Sequence, residues 1–280
     1  MSRGPADTIA DREGAPGGAP RATVLRWRTL VTPPTTGAEN MALDDALLER
    51  ARATGEATLR IYAWSSPTLS LGRNQPAAGL YDVSRAAELG VSFVRRQTGG
   101  RAVLHHREAT YSVTAPTAPM GALRESYSRI NRLLIDALAR LGVRASEAEP
   151  AGRSPLPGIA PCFETPVAGE IVVGGRKLVG SAQWRDRDAL LQHGSILLAN
   201  DQWMASALLL DPVAPPPPPA TLSALVSPVP TLADVASAFG AALRGREDVD
   251  AAPLILDQMT MHHMDEARHH FENDAWTWRL

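Results

Sequence analysis

The side chains best suited to covalent chemistry are few. One cysteine, Cys162, and one lysine, Lys177, stand in 280 residues against 27 arginines. Cys162 ends a stretch, Ala148 to Pro161, that holds four prolines and two glycines and reads as a loop. Its thiol is either a small core group or a reactive one, whose ordinary pKa of about 8.5 a nearby cation would lower. Lys177 opens a strand that continues into Gly180-Ser181-Ala182. Small residues inside a strand let something pack closely on the backbone. An ammonium aimed at such a surface can hold a developing oxyanion or perturb a neighbouring thiol, and arginine is no substitute at a site tuned in this way.

A second chemistry-bearing stretch runs from Arg95 to His105, with Arg95, Arg96 and Arg101 around Gly99-Gly100. The glycine pair can turn tightly and lie against a ligand, while guanidiniums hold carboxylates or phosphates by paired hydrogen bonds. On two glycines alone, a plain hairpin with surface arginines is the simpler reading. His105, His106 and His193 adjoin glycine-bearing segments and read as supporting polar contacts. His262, His263, His269 and His270, with Glu266 between, miss the i, i+4 spacing of a metal-binding helix pair and read as a solvated face.

These groups need a framework, and the hydrophobic pattern supplies one. Val24 to Leu30 reads as a first strand, and Asn40 to Arg52 as a helix capped by Asn40 and stopped at Gly55. Thr58–Trp64 and Thr68–Leu71 read as a strand pair joined at Ser65-Ser66-Pro67, followed by the polar loop Gly72-Arg73-Asn74-Gln75. Asp82 to Leu89 is a short helix. Strands follow at Val91 to Val94, Ala102 to Leu104 and Ala109 to Thr114. Ser126 to Leu141 is an amphipathic helix ending at Gly142. Glu170–Val173 and Lys177–Trp184 flank the turn Gly174-Gly175, and Leu190–Leu198 is a further strand. Pro212 to Pro219 is a stiff spacer, and Thr231 to Leu243 is a helix.

Composition sets bounds. Hydrophobic residues are 44% and charged ones 21%, ordinary for a soluble domain, and the formal net charge of −2 argues against a nucleic-acid binder. No apolar run approaches the ~18–20 residues of a membrane span, so no membrane partner is expected. Met1 to Pro20 lacks an apolar signal core and reads as a disordered tail. A lone cysteine suits a reducing, cytoplasmic setting.

Taken in order, Asn40-Met41-Ala42-Leu43-Asp44, Ser70 to Gln75, Arg95 to His105, Gly175 to Gln183 and Gln192-His193-Gly194-Ser195 resemble the biotin/lipoate protein ligase superfamily, in its lipoate branch. Within it, Gly99-Gly100-Arg101-Ala102-Val103-Leu104-His105, then Glu108-Ala109-Thr110-Tyr111-Ser112, with Cys162-Phe163 ahead of Lys177, is most similar to cysteine-dependent octanoyltransferases. Gln97 stands where a proline is usual and Ala109 where a leucine is. The resemblance implies an α+β fold with a mixed, mainly antiparallel sheet and packed helices. It implies Cys162 as acyl-thioester nucleophile and Lys177 as the residue that lowers its pKa. Substrate-binding positions are Arg73, Arg96, Thr98, Gly99, Gly100, Arg101, Ala102, Val103, His105, Gly180, Ser181, Ala182, His193 and Gly194. The implied reaction moves octanoyl from acyl carrier protein to the glycine cleavage H protein or another lipoyl domain, with no cofactor and no metal.

Two other activities stay open at this point. In an ATP-dependent lipoate–protein ligase, ATP would be required, but Arg101 replaces the usual third glycine. In a non-catalytic acyl-binding relative, Cys162 would be incidental. The expected division is a tail over residues 1–20, an acyltransferase core over 21–211, a Pro-rich linker over 212–230 and a helical segment over 231–280 packed on the core. The chain beyond Pro219 is expected to be dispensable for acyl transfer.

Overall fold

The computed structural model describes residues 25–149, 169–211 and 213–280. The expected N-terminal tail and the Cys162 loop lie outside the described residues. In chain order the first elements are β1 (Trp27–Val31), α1 (Gly37–Thr54), β2 (Ala57–Tyr62), β3 (Thr68–Leu71), α2 (Val83–Glu88) and β4 (Ser92–Arg95). Then come β5 (Val103–His105), β6 (Glu108–Pro116), α3 (Leu123–Arg140), β7 (Ser146–Glu147), β8 (Ile171–Val173), β9 (Arg176–Asp186) and β10 (Ala189–Leu197). The chain closes with α4 (Trp203–Ala207), α5 (Leu222–Leu225), α6 (Leu232–Arg246), β11 (Ala252–Pro253), α7 (Gln258–Phe271) and α8 (Asp274–Thr277).

Two sheets result. The larger runs β11-β1-β2-β6-β10-β9-β8-β7 and the smaller β4-β3-β5. In the larger sheet every pairing from β2 across to β7 is antiparallel and β1 pairs in parallel with β2 and β11; in the smaller, β3 is parallel to β4 and antiparallel to β5. This is the expected α+β architecture. Successive residues of β6 divide its faces. Tyr111 and Val113 belong to a core with Ile130, Leu133 and Leu134 of α3 and Phe239 and Leu243 of α6. Ser112 points the other way and donates to Asp44 of α1 at 2.7 Å. The α1 side of the sheet carries the polar chemistry.

Four local readings need correction. Thr58–Trp64 and Thr68–Leu71 do not form a hairpin: both edges of β2 are taken by β1 and β6, and β3 instead builds the second sheet. The Arg95–His105 stretch is no hairpin either, because β4 and β5 lie on opposite sides of β3. Helix α1 starts one turn early. Thr36 and Glu39 form a capping box, with the Thr36 N–H donating to Glu39 at 2.9 Å, which leaves Asn40 buried inside the helix.

The fourth correction concerns the chain after the proline run. The segment packs on the core and is not peripheral. Phe239 and Leu243 are fully buried, β11 extends the large sheet, and Asp248 accepts the Trp27 N–H at 2.8 Å. The Leu280 carbonyl accepts the Ala77 and Ala78 N–H groups at 2.8 and 2.7 Å. A segment with this much buried apolar surface is part of the fold.

Candidate active site

A cleft lies where the small sheet faces the middle of the large one. Of the expected residues, Arg96, Gly100, Val103 and His105 line it from the small-sheet side, and Gly180, Ser181, Ala182, His193 and Gly194 from β9 and β10. Its free space is about 50 Å³, so the lining side chains fill most of it. Gly194 is required there, since a Cβ at that position would stand 2.5 Å from the Gly180 carbonyl and 2.8 Å from the Tyr111 ring.

The glycine loop is held by its own arginine. Arg96 Nε donates to Thr98 Oγ1 at 3.2 Å, Nη1 to the Ser70 carbonyl and hydroxyl at 2.8 and 3.0 Å, and Nη2 to the Gly99 and Arg101 carbonyls at 2.8 Å each. Three of these bonds hold the glycine loop and two tie it to Ser70 of β3. Gly72 lies beneath the loop, and a Cβ on it would be 1.9 Å from the Gly100 oxygen. Arg95 is structural as well. Its guanidinium ties the Gly72 and Gln75 carbonyls, at 2.6 and 2.7 Å, to the Thr277 carbonyl at 2.8 Å.

Two histidines back the cleft, each with a carboxylate on one nitrogen and a hydroxyl on the other. His193 Nδ1 lies 3.3 Å from Asp44 and Nε2 lies 2.6 Å from Thr98 Oγ1. His105 Nδ1 lies 2.8 Å from Glu108 and Nε2 lies 2.7 Å from Ser70 Oγ. Both hydroxyls also meet Arg96, so one buried network spans from Asp44 to Glu108. Burial alone would raise the Asp44 carboxyl pKa. The His193 hydrogen bond, the Arg60 charge and the Ser112 hydroxyl outweigh it and hold the carboxyl below its usual range. Burial is also the largest influence on His193 and pushes it below the ordinary imidazole value against the pull of Asp44. Neutral His193 therefore donates from Nδ1 to ionised Asp44 and accepts the Thr98 hydroxyl at Nε2.

The remaining expected residues sit around this centre. Gly99 is half-buried with no atom within 4 Å of where a Cβ would be, and Ala102 is buried in the core beneath the small sheet. The Arg73 guanidinium reaches across to β9 and lies 4.9 Å from the Trp184 ring centroid. Lys177 is buried at the start of β9, its Nζ 2.5 Å from Glu170 Oε1. It stands three residues from Gly180, roughly 10 Å along a strand. Cys162 lies outside the described residues, so its distance to Lys177 is not part of this geometry. His106 turns outward to Asp201 at 3.1 Å, and His262 and His263 reach Glu266 on the exposed face of α7.

Asp44, Glu108, Ser70, Ser195 and Glu170 were missed as site residues. Asp44 and Glu108 lie inside segments that carried the family resemblance, which was the available signal. Glu170 is placed by the Gly174-Gly175 turn, which folds β8 back along β9.

Residues 36–244 match the model of the lipoyl protein ligase A/B catalytic domain. The chain belongs to that family. Among its relatives, Octanoyltransferase LipM of Kyrpidia tusciae is 46% identical over 195 residues, covering 66% of this chain and 71% of that protein. Octanoyltransferase LipM of Staphylococcus epidermidis is 31% identical and covers 90% of this chain and 98% of that protein. In fold, the family member crystallised as lipoate-protein ligase A bound with ATP superposes with a TM-score of 0.76 at 20% identity, over 91% of this chain and 99% of that one. A bipartite lipoate protein ligase from Thermoplasma acidophilum gives 0.74 at 19% identity, over 91% of this chain and 96% of that one. No helix among the described residues is long and apolar enough to cross a membrane.

Proposed function

We propose that this protein is an octanoyltransferase that works through a thioester on Cys162. Octanoyl-acyl carrier protein is the donor, and a lysine of the glycine cleavage H protein or another lipoyl domain is the acceptor. In the first step the Cys162 thiolate attacks the donor's thioester carbon. A new C–S bond forms, the carrier's C–S bond breaks, and the carrier thiol leaves with a proton. In the second step the neutral acceptor amine attacks the enzyme thioester, C–N replaces C–S, and the amine's proton is returned to the departing thiolate. Thioester exchange conserves the activated bond and amide formation runs downhill, so no ATP is spent, and two easier steps replace one hard one.

The observation that carries this reading is the cleft: Met41, Tyr62 and Trp64 line its buried end and Gly100 its exposed one, and an apolar end of this kind suits an acyl chain. Identity of 31–46% to proteins named octanoyltransferase supports the same activity. In this reading Lys177, whose ion-pair partner is Glu170 at 2.5 Å, is the residue that lowers the Cys162 pKa.

The test is intact-protein mass after mixing with octanoyl-carrier protein, with and without ATP. One octanoyl adduct forms without ATP, is lost on hydroxylamine treatment, and is absent in Cys162→Ser. Lys177→Arg keeps the charge and loses most of the transfer rate. An adduct in the serine variant, or an absolute need for ATP, overturns the reading.

A further inference from the structure

Burial gives the cleft a direction. Gly100 is exposed and Ser181 and Ala182 are half-buried, so they form the mouth. Met41 and Tyr62 are 1% and 0% exposed and form the closed end. The side walls near that end are fixed. The Trp64 ring stacks on His105 with centroids 4.0 Å apart and planes 11° from parallel, and its Nε1 donates to Thr110 at 2.8 Å. The Tyr62 hydroxyl is held by Asp44 at 3.2 Å.

Met41 differs from these neighbours. Among the described lining residues it is the one long, unbranched apolar side chain, with no hydrogen bond to fix it. A thioether of this kind fills whatever space its surroundings leave. Helix α7 shares its core: Met41, Tyr62, Trp64 and Phe271 belong to one buried cluster, with Met264 packed against it. Phe271 is itself 4% exposed, so Met41 has little room to retreat.

We propose that Met41, in one buried cluster with Phe271 of α7, is the stop that ends the acyl channel and sets the accepted chain length. This rests on the octanoyl-transfer reading and gives α7 a role in specificity. Replacing Met41 by alanine removes three heavy atoms from the closed end, space that a longer chain fills. A phenylalanine takes up more of that end than methionine does.

The experiment uses the full chain and measures kcat/KM with hexanoyl-, octanoyl-, decanoyl- and dodecanoyl-carrier protein. One methylene in an apolar pocket changes kcat/KM by about tenfold or more. Met41→Ala should therefore raise the decanoyl-to-octanoyl ratio by at least about tenfold. Met41→Phe should move preference the other way, toward hexanoyl. Phe271→Leu should raise the decanoyl-to-octanoyl ratio by a smaller factor, an effect that simple loss of stability does not produce. Met41→Leu, shorter in reach but similar in volume, replaces the alanine variant if that fails to fold, and shifts preference in the same direction. Unchanged ratios in the Met41 variants, or shifts of the same sign in the alanine and phenylalanine variants, overturn the stop alone. A parent protein that transfers no acyl chain overturns the transfer reading and the stop together.

Discussion

Asp44→Asn tests whether the buried network holds the site together. Asp44 is fully buried and accepts from Arg60 at 2.8 Å, Ser112 at 2.7 Å, Tyr62 at 3.2 Å and His193 at 3.3 Å. The Arg60 side chain is 1% exposed. The amide is the same size, so packing is kept, but Arg60 is left with Thr32 and Asn40 and no counter-charge. Leaving a buried charge unpaired costs about 3–5 kcal/mol. At about 2–4 °C per kcal/mol for a large domain, the melting temperature should drop by roughly 6–20 °C. In urea the midpoint should fall with the slope unchanged, which separates lost stability from a change in compactness. The pH dependence has a definite sign. The folded carboxyl titrates below its usual value, so its contribution is fully present above the ordinary carboxylate pKa and is lost as pH falls through the folded one. The gap between parent and variant must therefore narrow in acid. Asp186→Asn serves as the control, since its bridge to Arg52 is half-exposed and worth only about 0–1 kcal/mol. A loss below ~1 kcal/mol for Asp44→Asn at neutral pH, or a gap that stays constant in acid, would refute the reasoning.

Gly72→Ala should displace the glycine loop, because the new Cβ would meet the Gly100 oxygen at 1.9 Å. A shift of about 1 Å at a reacting centre can cost on the order of a hundredfold in rate. Gly99→Ala meets no atom within 4 Å and should melt like the parent, so equal melting temperatures for the two variants would show that the close approach does not matter. Truncation after Asp211 should give a chain without a cooperative urea transition, since Phe239, Leu243 and the sheet-edge strand go with it. A sharp two-state melt from that fragment would show that the segment is an appendage.

Much of the fold could be read from the chain, for reasons that differ by element. Gly55 and Gly142 marked helix ends because their backbone lies at φ of 70° and 82°, where a side chain is strained. The Gly174-Gly175 turn followed from the same property, at φ of 55° and 74°. The second sheet was not readable, since whether β3 pairs with β2 depends on which partners occupy the edges of β2. Nor was the Arg96 arrangement, because a guanidinium that binds its own loop and one that binds a ligand share the same sequence. The site segments were legible as a set, while their wiring needed the register of β6 against β10, which puts Ser112 opposite His193. The importance of the last fifty residues was hidden by the proline run, whose stiffness says nothing about where the chain docks afterwards.

The place of β1 has a consequence during synthesis. That strand has β2 on one edge and β11 on the other, with Arg28 opposite Ala252, and the Trp27 amide finds its acceptor in Asp248. At about 5–20 residues per second, a ribosome needs roughly 11–45 s to travel between those partners. Throughout that interval one edge of β1 is open, and the α3 face of the sheet lacks Phe239 and Leu243. The nascent chain therefore carries an uncovered apolar face and an unpaired strand edge until residues 239–253 have emerged. That face is where a ribosome-associated chaperone would bind it, and the edge is where two nascent chains would pair with each other.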